Sequence, residues 1–224
     1  MCGRFALSAK TKSIEKLLPN VKQGEELKPR YNIAPTQDIA VVLNDGSNEI
    51  TFAKWGLIPS WAKDDSMGSR MINARAETLL EKPAFKNPFR YKRCIILADS
   101  FYEWQKPGGK ARSVPYLVKL KTGEPFAFAG LWDTWTDKET GETIKSAVII
   151  TTDPNEMMLD IHNRMPVILP PDKINMWLEI GDVNLQELLS LLKPYPAEEM
   201  EAYPVSFSVN NPQFDDISCS EPAK

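Results

Sequence analysis

Prolines limit the length of every helix and strand that this chain can form. The sequence has 224 residues with eighteen prolines against eleven glycines, and prolines stand at most boundaries between the predicted elements. Proline lacks an amide hydrogen and clashes with the preceding helix turn, so it ends helices and is kept out of central strands. The chain is therefore predicted to fold from short helices and short strands joined by turns.

Five short helices are predicted, at Ser8–Leu18, at Glu77–Phe85, after the Asp153-Pro154 pair, at Pro171–Glu179 and at Leu185–Lys193. Pro19 ends the first helix and Pro83 interrupts the second. Asp153 is a suitable N-cap for the third helix, because its side chain can accept a hydrogen bond from the first turn.

Strand signals are at least as strong as the helix signals. Short β-branched or aromatic runs bounded by turn residues occur at Ile39–Leu43, Ile50–Lys54, Arg93–Ala98, Tyr116–Leu120, Phe126–Leu131, Ser146–Thr152 and Tyr203–Val209. The turn pairs Thr122-Gly123 and Thr140-Gly141 each indicate a connection between adjacent strands, which favours antiparallel pairing. The sequence predicts one α+β domain over residues 1–224. Its curved, largely antiparallel, barrel-like sheet is flanked by short helices, with a core at 2–209 and a polar, loosely held tail at 211–224.

Charge and cysteine content exclude several classes of protein. Twenty-seven Lys and Arg against thirty Asp and Glu give a net charge of −3, which argues against a polybasic binder but permits a local basic cleft. Three cysteines without a CxxC pair, together with one histidine, exclude a disulfide framework and make a metal site unexpected. No secretory signal or long apolar stretch occurs, so we expect a cytoplasmic location and no membrane association.

Cys2 is preceded only by an initiator methionine. If Met1 is removed, Cys2 carries an amine with a pKa of about 8 next to a thiol. The amine can condense with an aldehyde to an imine, and the thiol can then add to the imine carbon and close a thiazolidine ring. The alternative is a chance cysteine at the start of a strand, inert like most buried cysteines.

Three further residues are candidates for proton transfer or hydrogen bonding. His162 is the single histidine, and its ordinary pKa lies near neutrality, although a lone histidine is often structural. Glu103 is flanked by aromatics, which favours a raised pKa if its face of the strand is dry; the alternation alone leaves that face undecided. Asn73 is either a turn residue or a donor and acceptor for a sugar or carbonyl group.

Arginines and aromatic residues accompany these candidates. Arg4, Arg75 and Arg164 each lie two residues from Cys2, Asn73 or His162, and the guanidinium fork suits phosphate oxygens. Exposed tryptophans can stack on bases. Each feature also has an ordinary structural alternative, namely surface ion pairs for the arginines and core packing for the tryptophans.

Taken together, several segments resemble one known family. They are MCGRF at the start, Arg30–Gln37, Trp55–Trp61, Ile72–Thr78, Arg93-Cys94 through Phe101–Trp104, Ala129–Trp132 and His162–Pro166. In this order they resemble the SOS response-associated peptidase (SRAP) family, the abasic-site processing proteins, from Cys2 to about Val209. Ser100 departs from the glycine expected there.

The resemblance implies a barrel-like core and a cleft for single-stranded DNA containing abasic sites, without a cofactor or metal, in a protein expected to be a monomer. It implies removal of Met1 by the chain itself and covalent capture of the lesion aldehyde by Cys2, with a possible β-elimination lyase activity. Asn73, Glu103 and His162 would complete the catalytic group. DNA would be bound by Arg4, Arg75, Arg164, Pro35 and Trp61.

Two other functions remain open from the sequence. An N-terminal cysteine with Glu and His can also perform acyl transfer, as a protease or amidohydrolase acting on other molecules. Arginines with tryptophans can also make a single-strand binder without covalent chemistry.

Overall fold

The structure is a computed structural model that describes residues 2–24, 26–106, 108 and 112–223. Within these ranges the strands are β1 (Phe5–Leu7), β2 (Arg30–Ile33), β3 (Asp38–Leu43), β4 (Ile50–Trp55), β5 (Asn73–Arg75), β6 (Arg93–Ala98), β7 (Ser100–Gln105), β8 (Val114–Leu120), β9 (Phe126–Thr136), β10 (Thr143–Thr152), β11 (Met165–Pro166), β12 (Ile168–Leu169) and β13 (Met200–Pro204). None of the helices formed by these residues is long and apolar enough to cross a membrane.

Five strands close into a barrel in the order β10–β4–β3–β6–β9, and β9 pairs again with β10. All pairings in this ring are antiparallel except β10 with β4, which is parallel. Gly130 on β9 leaves no room for a side chain, because an added Cβ would lie 2.9 Å from the Cys94 sulfur and 3.0 Å from the Val148 carbonyl oxygen. This close approach packs β6 and β10 tightly against β9.

A second, antiparallel sheet has the order β13–β8–β7–β1–β2 and joins the barrel directly. The chain passes from β6 of the barrel into β7 of this sheet with only Asp99 between them. The Asp99 side chain accepts hydrogen bonds from the backbone and the hydroxyl of Ser8, which follows β1. The α+β class and the curved, largely antiparallel, barrel-like sheet predicted from the sequence are confirmed.

The helices are short, as the prolines predicted. The α-helices formed by the described residues are α1 (Thr11–Leu17), α2 (Pro83–Tyr91), α3 (Glu156–Leu159), α4 (Ile174–Trp177) and α5 (Leu185–Ser190). Short 3-10 helices occur at Asp65–Arg70, Ala76–Thr78, Pro171–Lys173, Ala197–Glu199, Phe207–Asn210 and Ile217–Ser220.

Three predicted details of the helices and strands are wrong. Pro83 starts α2 instead of interrupting a helix, since proline is well tolerated in a first turn. The N-cap of α3 is Asn155, whose side chain accepts from the Met158 amide at 2.9 Å, and not Asp153. The strand expected at Tyr203–Val209 ends at Pro204, because the chain then turns into 3-10 helix.

The two glycine turns have different outcomes. Thr140-Gly141 joins β9 to β10, and these strands pair as a hairpin, as predicted. Thr122-Gly123 joins β8 to β9, but β8 pairs with β7 and β13 in the second sheet while β9 lies in the barrel. A turn signal shows where the chain reverses and does not show which strands then pair.

The expectation of a loosely held tail after Asn211 is also corrected. Cys219 in this segment is fully buried, and the Asp215 carboxylate accepts from the backbone amides of Tyr31 at 2.6 Å and Asn32 at 2.9 Å. The Tyr102 hydroxyl lies 3.1 Å from the Ser220 hydroxyl. The polar composition suggested solvation, but these polar groups instead satisfy the backbone of β2.

Candidate functional site

The end of β10 organises one side of the site. β5 pairs with β10 in parallel, with Asn73 opposite Ile149 and Arg75 opposite Thr151. On the other side β11 pairs antiparallel with the same end of β10. The segment just before β11 carries His162 and Arg164. Two segments far apart in sequence are therefore held beside one strand end.

The pairing of β1 with β7 brings in the other half of the site. Phe5 on β1 lies opposite Phe101 on β7, and the strands run antiparallel. The residues before Phe5 therefore run alongside the residues after Phe101, and this register places Cys2 near Glu103. Both faces of β7 are covered, since Phe101, Tyr102 and Glu103 are all buried. The face of Glu103 that the sequence left undecided is dry.

The Cys2 side chain is fully buried. Burial raises the pKa of its thiol, and the nearby charge of Glu103 raises that pKa further. The sulfur lies 3.9 Å from the backbone oxygen of Arg4, within reach of a weak hydrogen bond. The thiol is therefore kept protonated, and a base has to accept its proton before the sulfur can act as a nucleophile.

Asn73 contacts the backbone of Cys2 directly. Its Nδ2 donates to the Cys2 carbonyl oxygen at 2.8 Å. Its Oδ1 is buried, and no donor from the described residues reaches it. An unsatisfied buried acceptor is costly, so this oxygen is poised to accept a hydrogen bond from a bound group.

Glu103 and His162 lie next to each other in the site. Burial raises the pKa of Glu103 from 4.5 to about 7 and lowers the pKa of His162. His162 Nε2 lies 3.9 Å from Glu103 Oε2. His162 Nδ1 lies 3.1 Å from the Arg164 backbone amide, which can only donate, and 3.3 Å from the Arg164 carbonyl oxygen, which can only accept. Either tautomer of the neutral ring therefore finds a partner at Nδ1.

An open groove begins at Asn73. It has a volume of about 480 Å³, and its lining includes Trp61, Met71, Asn73, Arg75, Lys82 and Phe85. Arg75 and Lys82 are exposed cations, and the Trp61 side chain is 60% exposed. A second depression, lined in part by Lys63, Asp64 and Arg70, also includes Trp61. The indole therefore lines two depressions that both contain cationic side chains.

The loop that carries Trp61 is firmly held by the barrel. The Ser60 amide donates to the buried Asp133 carboxylate at 2.9 Å, and Trp135 Nε1 donates to the Ala62 carbonyl oxygen at 2.9 Å. The residues on both sides of Trp61 are thus bound to β9. The exposed indole is presented by a fixed backbone, as a stacking or wedging side chain requires.

Sequence reasoning missed Lys82 and Phe85 of the groove. Lys82 immediately precedes α2, where a cation is unfavourable to the helix dipole. A lysine just before the Pro83 start signal was therefore an available sign of a role outside the helix. Phe85 carried no such sign, because an aromatic residue on a short helix normally packs in the core.

The other three predicted DNA-binding residues, Arg4, Arg164 and Pro35, do not line the groove, and the two arginines have protein partners. Arg4 Nη1 donates to Asn32 Oδ1 at 2.8 Å, and Arg164 donates to both Glu77 carboxylate oxygens at 2.8 and 2.9 Å. Pro35 is half-buried and is not among the described residues that line the groove.

The turn beyond Pro35 is strained. Thr36 has a φ of +72°, which a β-branched residue rarely adopts. Its amide donates to the Trp55 carbonyl oxygen at 2.9 Å and holds the turn against the end of β4.

No cluster of three or more His, Cys, Asp or Glu suited to a metal ion occurs among the residues that the structure describes. Fold and site together define a barrel protein whose acid–base cluster is built around its second residue, beside a basic groove.

Comparison with known proteins gives the family. Residues 1–212 match the model of the SOS response associated peptidase (SRAP) family. The chain is 49% identical over 220 residues to the abasic site processing protein YoqW of Bacillus subtilis (strain 168), covering 95% of this chain and 96% of that protein. It is 33% identical over 244 residues to the abasic site processing protein HMCES of Rattus norvegicus, covering 92% and 68%.

The solved structures agree with this result. The crystal structure of a protein from Bacteroides thetaiotaomicron matches with a TM-score of 0.87 and 31% identity over the whole of both chains. The chain belongs to the SOS response-associated peptidase family.

Proposed function

We propose that this chain processes abasic sites in single-stranded DNA by forming a covalent thiazolidine crosslink through Cys2 after Met1 is removed. The observation that carries the proposal is the convergence of Cys2, Asn73, Glu103 and His162, of which Asn73 also lines the basic groove. Membership of a family whose relatives are named abasic site processing proteins supports the same substrate.

The first steps make an imine. Hydrolysis of the peptide bond between Met1 and Cys2 leaves Cys2 with a free amine. The amine adds to the aldehyde carbon of the ring-opened sugar, and loss of one water gives the imine. Glu103, with its pKa raised to about 7, holds a proton at neutral pH for a substantial part of the time and can donate it to the leaving hydroxyl. Neutral His162 can accept a proton at the same site.

Ring closure completes the crosslink. The Cys2 sulfur adds to the imine carbon, the thiol proton leaves to a base, and the imine nitrogen gains a proton, so the ring forms without a further leaving group. The raised pKa of the thiol means that a base is needed to remove its proton. The Glu103 carboxylate, whose charge acts on the Cys2 thiol, is the candidate for that base. If the imine loses the neighbouring sugar proton first, the strand breaks by β-elimination. Thiazolidine closure competes with this lyase reaction.

The groove provides a path for the strand. Arg75 and Lys82 can pair with phosphates, and Trp61 can stack on a base or wedge beside it. Asn73 Oδ1, for which no described residue supplies a donor, can accept from the sugar or from the new ring nitrogen. Binding should weaken with salt, because phosphate contacts release counterions.

An oligonucleotide with one abasic site tests the proposal. The purified protein should give a heat-stable shifted band, and its intact mass should show loss of Met1 and then a gain equal to the DNA minus one water. Cys2→Ala should abolish the band, and Cys2→Ser should give only an adduct that requires reduction to be trapped. Cys94→Ser is the matched control, since Cys94 is equally buried but internal, and it should crosslink normally.

Two outcomes would overturn the proposal. Turnover of peptides in trans with no reaction toward abasic DNA would indicate a protease or amidohydrolase. Equal binding of intact and abasic strands without a covalent product would indicate a simple single-strand binder.

A further inference from the structure

The last part of the described chain forms a closed loop, here called the C-terminal loop (residues 205–222). Val205 and Pro222 form an antiparallel bridge at its base, and the Ala223 amide donates to the Pro204 carbonyl oxygen at 2.8 Å. The family model ends at residue 212, so the second half of the loop lies beyond it. The loop packs on the outer face of β7 and β1 through buried residues, which include Val209 and Cys219.

The C-terminal loop contacts the guanidinium group of Arg4, which lies two residues from Cys2 in the sequence. Arg4 Nη1 donates to the Val209 carbonyl oxygen at 2.7 Å as well as to Asn32 Oδ1 at 2.8 Å. Two acceptors on one nitrogen fix the plane of a guanidinium group. The orientation of Arg4 therefore depends on the loop and on β2, although neither is its neighbour in sequence.

Asn32 connects Arg4 to the rest of the loop. The residue is fully buried, and its Nδ2 donates toward the carbonyl oxygens of Val209 at 3.3 Å, Asn211 at 3.0 Å and Phe214 at 2.6 Å. Its Oδ1 is taken by Arg4. An asparagine has one carbonyl oxygen and one NH₂ group, so both ends of this side chain are committed to the connection.

Asp215 fastens the loop to the same strand. Its Oδ1 accepts from the Tyr31 and Asn32 amides at 2.6 and 2.9 Å, and its Oδ2 pairs with Arg30. The neighbouring Asp216 only caps a 3-10 turn within the loop, where its side chain accepts from the Ser218 amide at 3.0 Å. Two adjacent aspartates thus carry the same charge but differ in whether they reach β2.

We propose that the C-terminal loop is a positioning element for Arg4: through Asp215 and Asn32 it holds the guanidinium in the orientation that pairs with a phosphate beside the lesion. The inference rests on the proposed function. Asp215 and Asn32 are positioning residues, and they act on the strand only through Arg4.

Salt dependence of binding is the readout, because each phosphate contact to a single strand contributes a slope of about 0.7 in log K against log salt. Binding is measured on a single strand with a tetrahydrofuran abasic analogue, which cannot form the imine. Arg4→Gln should lower the slope by about 0.7, and Asp215→Ala should lower it by a similar amount. The double variant should show no further fall, because both changes remove the same contact.

Asp216→Ala is the matched control. It removes the same charge from the same loop, so a general loss of negative charge would affect both variants alike. We expect Asp216→Ala to keep the wild-type slope and Asp215→Asn to restore it, because asparagine retains an acceptor for the two amides. Equal behaviour of Asp215→Ala and Asp216→Ala, or additive effects of Asp215→Ala and Arg4→Gln, would overturn the proposal.

A second measurement uses the wild-type protein and needs no variant to fold. Coupling between sites is reciprocal, so a DNA single strand that binds Arg4 must also stabilise the loop that orients Arg4. Hydrogen exchange of the Tyr31 and Asn32 amides, which donate to Asp215, should slow when the analogue binds. Unchanged exchange at both amides would overturn the inference. Failure of wild-type crosslinking to true abasic DNA would instead count against the proposed function.

Discussion

At the scale of single residues, the Glu103 carboxyl couples the site to stability. Burial raises its pKa from 4.5 to about 7, so between these pH values the folded protein keeps a proton that the unfolded chain releases. Its contribution to stability is therefore complete below about pH 4.5 and is lost as the pH rises through about 7. A side chain that cannot ionise does not lose this contribution.

Glu103→Gln tests this sign. The free energy of unfolding of the variant minus that of the wild type should rise by about 2 kcal/mol between pH 5 and pH 8, measured by urea denaturation. His162 titrates in both proteins, so most of its effect cancels in the comparison. Glu142→Gln, in the exposed turn between β9 and β10, is the control and should show no such trend. A difference that falls with pH would contradict the raised pKa.

Glu77 occupies the guanidinium fork of Arg164, which the proposed function would use for DNA. Its carboxylate binds both Nη atoms of Arg164 at 2.8 and 2.9 Å, in the fork geometry that a phosphate would use. Glu77→Gln should therefore tighten binding of single-stranded DNA several-fold and steepen its salt dependence, measured by fluorescence anisotropy.

Asp153→Asn provides the comparison for this prediction. Asp153 also contacts Arg164, at 3.0 Å, but through one oxygen, and its side chain is 84% exposed. The same loss of charge should therefore have a smaller effect. Weaker binding by Glu77→Gln would show that Glu77 orients Arg164 and does not compete for it.

At the scale of elements, the buried Arg93 joins two helices to the barrel. Nε donates to the Trp177 carbonyl oxygen at 2.8 Å, and Nη1 donates to the Phe89 carbonyl oxygen at 3.0 Å and to that of Arg90. Nη2 donates to the Glu179 carbonyl oxygen. These carbonyls belong to the ends of α2 and α4, where helices leave their last carbonyls without partners. Arg93 thus caps both helices from the first residue of β6.

Arg93→Met should destabilise the protein by about 3 kcal/mol, because several buried carbonyls lose their donor at once. The measurement is the free energy of unfolding in urea. Arg90→Met, three residues earlier in the last turn of α2, removes the same charge but leaves the hydrogen bonds of the Arg93 side chain in place. It should cost less than about 1 kcal/mol. Equal losses in the two variants would show that Arg93 acts through its charge or bulk alone.

The sequence predicted the elements well where local signals suffice. Arg93–Ala98 was predicted with both ends correct, because a continuous apolar run that contains two isoleucines is flanked by polar residues. It missed Phe5–Leu7, Arg30–Ile33 and Asn73–Arg75, which are only three or four residues long. Strands this short are stabilised by the neighbours with which they pair and show little periodicity of their own.

At the scale of the whole molecule, barrel and second sheet share one core. The Phe5 ring of the second sheet lies 5.0 Å from the Trp55 ring and 5.8 Å from the Phe128 ring of the barrel, centroid to centroid. β6 continues into β7 after one residue. Neither sheet can unfold without exposing the apolar face of the other.

Unfolding in urea should therefore be one cooperative transition. Far-ultraviolet circular dichroism, which reports both sheets, and tryptophan fluorescence should give the same midpoint and slope. Two separated transitions would mean that the second sheet unfolds independently of the barrel.

The sequence by itself determined the local properties of this protein. Prolines fixed the short elements, β-branched runs fixed most barrel strands, and the order of motifs gave the family together with Cys2, Asn73, Glu103 and His162. These features lie in composition, periodicity and short segments. They can be predicted from the sequence because each is specified by residues close to one another along the chain.

Only the tertiary structure decided which polar groups meet. It placed Glu103 on a dry face, turned the segment after Asn211 into a bound loop, and gave Arg4 and Arg164 partners from distant segments. The physical reason is that a polar side chain can be satisfied by any donor or acceptor that the fold brings within reach. That partner is set by strand pairing across the barrel and the second sheet, so it cannot be predicted from the residues adjacent in the sequence.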